Sequence, residues 1–282
     1  MKAIIPNSRL IQVVCGIVLC LSGVQFVRAL EPLKRLDPTR FGPGTLIVAL
    51  EELERYRPPQ AVDLILPLLG HSDSQVSRTA AWILRRMEES SRGVTAAAAV
   101  LSDPNASVPE KVSAAISLGE LRNPQATTVL RAILFGQEDC EVICAAVQAL
   151  GDLHRSGVAG DLARVLSEHT CVQARAVAAA ALGNVPDTDM DELVNALNND
   201  DVQVRLEVVW ALGRKGIRTD RVIGNLLRVL QQDSNCKVQA AAAWALAKIK
   251  DSSVLEALQI AAEGRCRLAS QASQWALSQM TH

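Results

Sequence analysis

Apolar residues run along this chain in two alternating helical patterns. The decamer VRLEVVWALG, Val204 to Gly213, returns in related form six more times: VSRTAAWILR from Val76, EKVSAAISLG from Glu110, VICAAVQALG from Val142, ARAVAAAALG from Ala174, VQAAAAWALA from Val238 and ASQASQWALS from Ala269. Its ninth position is always leucine: Leu84, Leu118, Leu150, Leu182, Leu212, Leu246 and Leu277, at spacings of 30 to 34 residues. On a helix turning about 100° per residue, Val204, Val208, Ala211 and Leu212 share one face, whereas Leu206, Val209 and Trp210 lie off it. An isolated amphipathic helix would leave those three in water. A helix stacked between neighbours has its flanks covered.

A second pattern, with Leu, Ile and Val at three-and-four spacing, fills the gaps: residues 123–136, 156–168, 187–199, 219–231 and 252–264. Asn123 before Pro124, and Asp187, read as N-caps of such helices. Gly119, Gly151, Gly183 and Gly213, at the tenth template position, read as left-handed C-terminal caps. Each unit of about 32 residues is thus helix, turn, helix. One pair cannot bury its own apolar faces, and stacked pairs share a continuous core. The predicted fold is an all-α solenoid of about seven helix pairs over residues 58–282. A lead-in and capping helix precede it over 30–57, the helix itself being GTLIVALEELERYR, 44–57. Pro67 is expected to kink or end its helix. Glu110 stands where an anchoring valine belongs, with Val108 and Val112 as substitutes. The last copy is polar (Ser270, Gln271, Ser273, Gln274), as a terminal cap should be.

Val204, Arg205, Val208, Ala211, Leu212 and Gly213, and nearly as well VICAAVQALGDL from Val142 to Leu153, resemble the HEAT-like repeats named after phycobilisome lyases. The resemblance covers about four-fifths of the chain. It implies a superhelix whose second helices line a concave, protein-binding side. That family also includes lyase subunits that attach bilin chromophores, and some of its cousins act on DNA. Fold does not choose among these functions. The primary expectation is a non-catalytic scaffold with no cofactor, binding another protein or a peptide. The alternative is a bilin-lyase-like subunit.

Composition sharpens the picture. Hydrophobic residues make up 49% and aromatic residues 3%, so the apolar mass is Ala, Leu and Val, suited to close-packed helices. The formal charge of −1 argues against nucleic acid. At the amino terminus, Lys2 and Arg9 precede an uncharged run, 10–24, and Val27-Arg28-Ala29 places small residues before a cut after Ala29. Residues 1–29 therefore read as a secretory signal peptide, and the protein as periplasmic or extracellular. The competing reading keeps residues 10–27 as a membrane anchor, although the run is short of the roughly 20 residues a span needs. Cleavage would leave 26 basic and 30 acidic residues.

Candidate chemistry is sparse. His71, His154, His169 and His282 are scattered near loops or termini and read as solvated. Asp187, Asp189 and Asp191 alternate, but lack the central glycine and distal glutamate of a calcium loop, and acids suit a helix N-terminus without a metal. No metal site is expected. Cys140, Cys171, Cys236 and Cys266 fall at matching places in neighbouring repeats. Inter-repeat disulfides, expected in an exported protein, compete there with a reading as small buried residues, because stacked helices sit about 8–10 Å apart and a disulfide needs Cα atoms within about 7 Å. Cys144 is left over as a free thiol. Trp82, Trp210, Trp244 and Trp275 all hold the seventh template position. With Leu206 and Arg205 beside Trp210, they are candidate partner contacts, or they plug the seams between repeats.

Overall fold

The computed structural model describes residues 32–58, 60–153 and 157–280. The expected signal peptide, the anchor alternative, His154 and His282 lie outside them. From Pro43 onward the described residues form, in order, α1 (Pro43–Tyr56), α2 (Ala61–Ile65), α3 (Ser74–Arg86), α4 (Ser90–Ser102), α5 (Val108–Leu121), α6 (Ala126–Leu134), α7 (Cys140–Asp152), α8 (Ala159–Glu168), α9 (Val172–Leu182), α10 (Met190–Ala196), α11 (Val202–Lys215), α12 (Asp220–Gln232), α13 (Cys236–Ile249), α14 (Leu255–Ala262) and α15 (Arg267–Met280). Among the described residues there is no strand. Pro67 turns the end of α2 into a 3-10 turn, Leu66–Gly70.

The odd-numbered helices from α3 onward carry the seven decamers. Each packs against the next odd helix and against the even helix before it, while even helices touch one another only lightly. The odd layer is therefore the tight, inner side of the superhelix. The even helices splay outside it. α1 joins the inner layer against α3 as the extra end helix, preceded by a short helical segment, 32–34, that is tied to it through Arg35 and Glu52. One core runs through all repeats, including Leu84, Leu118, Leu150, Leu182, Leu212 and Leu246, each at most 1% exposed.

The repeated glycines correct an expectation. They are not left-handed caps. Gly119, Gly151 and Gly213 sit inside inner helices, and Gly183 has φ −60. The left-handed ends fall instead on Arg57, Arg122, Gly216 and Lys250. The glycines let adjacent inner helices close up. A β-carbon on Gly151 would lie 2.8 Å from Ala181 Cβ, and one on Gly213 would lie 3.0 Å from Ala245 Cα. Gly119 meets Ala149 and Gly183 meets Ala211 likewise. Template position ten thus faces position eight of the following repeat.

The loops entering the inner helices share one construction. Asp73, Asp201 and Asn235 cap α3, α11 and α13 through side-chain oxygens. Two residues earlier, His71 Nδ1, Asn199 Oδ1 and Asp233 Oδ1 accept the cap residue's own N–H at 3.0, 3.0 and 2.8 Å. His169 Nδ1 does the same for Cys171, at 3.0 Å. His71 and His169 are therefore loop-shaping acceptors and not merely solvated side chains. Before α10 the cap is Asp189, not Asp187; its carboxylate accepts from the Asp191 N–H at 2.9 Å. Glu110 is explained too. It occupies the third position of α5, where its carboxylate accepts from the Ser107 N–H and hydroxyl, both at 2.7 Å. A capping residue has replaced the anchoring valine, and Val108 and Val112 pack partly buried beside the core.

Candidate partner-binding face

Leu206 and Trp210 stand one turn apart on α11, and Trp244 follows at the matching place on α13. The Trp210 and Trp244 rings meet edge to face, centroids 4.5 Å apart. Both are half-buried. A β-carbon on Gly213 would approach Trp244 Cζ3 to 2.6 Å, so this glycine makes room for the ring. Trp244 is thus mortar between repeats. Its other side, with Leu206, Trp210, Ala240 and Ala241, borders an open groove of about 560 Å³ that continues over α15. There Leu268, Ala272 and Trp275 form an i, i+4, i+7 row, with Leu268 48% and Trp275 40% exposed. Among the described residues the groove lining carries one charged side chain, Lys237. Lys248 Nζ sits 5.5 Å above the Trp244 ring at its margin.

Trp82 lies apart from this cluster. It borders a hollow of about 500 Å³ with Glu51, Glu54, Arg78, Thr79 and Glu120. The Arg86 guanidinium stacks 5.0 Å above its ring and pairs with Glu54 at 2.7 Å.

Arg205 does not belong with the contact residues, and that expectation is corrected. Its guanidinium holds Asp233 of the next loop through Nε and Nη2, at 2.8 and 3.0 Å, and donates to the Asn199 and Asp200 carbonyls. The pair is 11% and 5% exposed. Its donors tie two loops together and are not offered to a partner. The same place, four residues past the cap, is used repeatedly. Arg175 donates to the His169 carbonyl and Gln239 to the Asp233 carbonyl, while Lys111 bonds Glu138 of the following loop.

At the loop corners, Cys140 is paired with Cys171 and Cys236 with Cys266, Cα atoms 6.0 and 5.8 Å apart. The expected obstacle was helix spacing. It is avoided because Cys140 and Cys236 open their helices, while Cys171 caps α9 and Cys266 immediately precedes α15. Chain ends swing off the helix axis toward the neighbour. Each bridge closes a loop of about 30 residues, which chain entropy values at about 3.5 kcal/mol. Cys144, one turn beyond Cys140, is a free thiol whose titration is pushed up by burial, then by Glu141. Its i, i+4 spacing from Cys140 was visible in the sequence; its approach to Cys171 was not.

A family profile for HEAT repeats matches residues 190–278. No curated protein matches the chain in sequence. Among solved structures, the Escherichia coli protein YibA is 14% identical with a TM-score of 0.53, over 78% of this chain and 92% of that one. A chain of the complex between Kap95p and RanGDP is 14% identical with a TM-score of 0.58, over 89% of this chain and 40% of that one. The CpcE–CpcF complex of phycocyanin lyase from Nostoc is 22% identical with a TM-score of 0.44, over 78% of this chain and 93% of that one. The chain is an α-solenoid of HEAT-like repeats. Among the described residues, no helix is long and apolar enough to cross a membrane.

Proposed function

We propose that this protein is a non-catalytic, exported scaffold that holds a partner protein or peptide along the inner face of its solenoid. The observation that carries the reading is the exposed apolar groove from Leu206 and Trp210 across Trp244 to Leu268 and Trp275. Solenoid inner faces are extended binding surfaces, and Trp is enriched at binding hot spots. A groove this apolar suits the hydrophobic stripe of an amphipathic helix, and Lys237 at its edge suits an acidic residue beside that stripe. With a single ionisable side chain, the lining favours binding over acid–base chemistry. Export is supported by the basic, apolar and small-residue sequence of positions 1–29 and by cysteine pairs that an oxidising compartment would keep joined.

Two experiments test this. Capture from the organism's own envelope extract should recover a protein with wild type that is lost with the double variant Trp275→Ala and Leu268→Ser. Equal recovery by both would overturn the groove. Amino-terminal sequencing of the mature protein should begin at Leu30; a retained Met1 would overturn cleavage.

A further inference from the structure

The two bridged corners differ by one side chain. One turn into the helix, α7 carries Cys144, whereas α13 carries Ala240 at the same place. The Sγ atoms of Cys140, Cys144 and Cys171 all lie within 4.8 Å of one another, and the three residues are half-buried. We propose that, when the Cys140–Cys171 bridge is reduced, these three sulfurs form a zinc site, so that one corner joins its two repeats either by a disulfide or by a metal clasp.

The geometry fits the ion. Once the Cys140–Cys171 bond is opened, a tetrahedral zinc with sulfurs at about 2.3 Å would hold all three about 3.8 Å apart, a spacing within the 4.8 Å that bounds them now. Thiolates are soft ligands that select such an ion over magnesium or calcium. An oxygen already stands beside the cluster: Gln173 Oε1 lies 3.4 Å from Cys171 Sγ and 3.8 Å from Cys140 Sγ. It or a water completes the tetrahedron. Two of the sulfurs sit at helix starts, Cys140 as the first residue of α7 and Cys171 as the cap of α9, so both approach the same corner.

The steps balance. A phosphine and one water reduce the disulfide to two thiols, leaving the phosphine oxide. Three thiols and one zinc(II) then give a trithiolate complex of charge −1 and three released protons.

The test uses the full chain, reduced with a phosphine under inert gas and titrated with Co²⁺, followed by Zn²⁺. One equivalent of cobalt should give thiolate charge-transfer and tetrahedral ligand-field bands, which zinc then abolishes. Cys144→Ser should weaken cobalt binding at least tenfold, and so should Cys144→Ala, which copies the alanine already housed in α13. The double variant Cys236→Ser and Cys266→Ser should bind as wild type does. Absence of the bands, or cobalt binding by both Cys144 variants as tight as that of wild type, overturns the site.

Discussion

Trp82 and Trp244 occupy the same template position in repeats built to one plan, yet their surroundings are opposite. Around Trp82 the residues one turn away are Arg78 and Arg86, and Glu51, Glu54 and Glu120 face them from neighbouring inner helices. The ring is covered by a guanidinium held in an ion pair. Around Trp244, the residue one turn earlier is Ala240, and Trp210, Leu206 and Leu268 come from the helices on either side. The repeat determines where a tryptophan points. A cation follows one turn later in both repeats, Arg86 and Lys248, so the residue one turn before the ring and the side chains brought by neighbouring helices determine whether an apolar groove opens.

The comparison breaks most sharply at the loop ties. Arg205–Asp233 in the C-terminal half is almost fully buried, while its counterpart Lys111–Glu138 is 15% and 28% exposed. Arg205→Ala strands a buried carboxylate and frees two carbonyls, so it should cost about 3–4 kcal/mol. Lys111→Ala should cost about 1 kcal/mol or less, since water reaches the remaining glutamate. Urea unfolding of both variants measures the gap. Equal costs would mean that the two halves are tied alike.

Next in size is the tryptophan pair itself. Trp244→Ala removes the ring that fills the seam over Gly213 and the edge contact with Trp210, and should cost about 2–3 kcal/mol. Trp82→Ala loses a half-buried ring covered by the Arg86 guanidinium and without an aromatic partner, and should cost about 1–2 kcal/mol. Trp275→Ala should shift stability by less than about 1 kcal/mol, because the ring is 40% exposed. Thermal melts of the three variants order them, and a Trp275 effect as large as that of Trp244 would make the groove's far wall core.

Smaller again is the effect of closing the inner-helix gap. Gly213→Ala pushes a methyl into Trp244 and the Ala245 backbone, at a net cost of about 1–2 kcal/mol once the helix propensity gained from alanine is set against it. Gly216→Ala meets no atom but carries φ +60, so it should cost about 1 kcal/mol by backbone strain alone. Tryptophan fluorescence separates the mechanisms: it should change with Gly213→Ala and stay constant with Gly216→Ala.

These pairs also show which features the sequence made legible. The leucine period of 30 to 34 residues prescribed the two layers; of the three off-face residues of α11, Val209 is covered by neighbours as expected, whereas Leu206 and Trp210 stay half-buried along the groove. The glycines were misread because a helix-ending glycine and a close-approach glycine sit at nearly the same sequence place. The distinguishing signal lay one repeat later, in Ala149, Ala181, Ala211 and Ala245, which only stacking brings opposite. Arg205 was misread for a related reason. Its neighbours in sequence are apolar groove residues, but its partner Asp233 is 28 residues away in the next loop. Likewise Cys140 and Cys171 meet only because helix starts converge at a corner.

The smallest expected effect tests the helix starts. α11 and α13 place Val204 and Val238, both fully buried, three residues past their caps, whereas α5 places Glu110 there. The Ser107 hydroxyl and then its N–H hold the Glu110 carboxyl below its ordinary value of 4.5. A carboxyl depressed on folding contributes stability that is complete above its unfolded value and fades as pH falls through the folded one. The residue is nearly fully solvated, so the contribution is only about 0.5 kcal/mol. Glu110→Gln should therefore lower stability by about that much at pH 7 and by progressively less as the pH falls below 4.5. Val204→Ala in α11 should cost about 2 kcal/mol throughout that range, because no titrating group is lost. If the Glu110 effect persisted undiminished at pH 3, the start of α5 would be held by shape rather than charge, and the two halves would begin their inner helices by the same means after all.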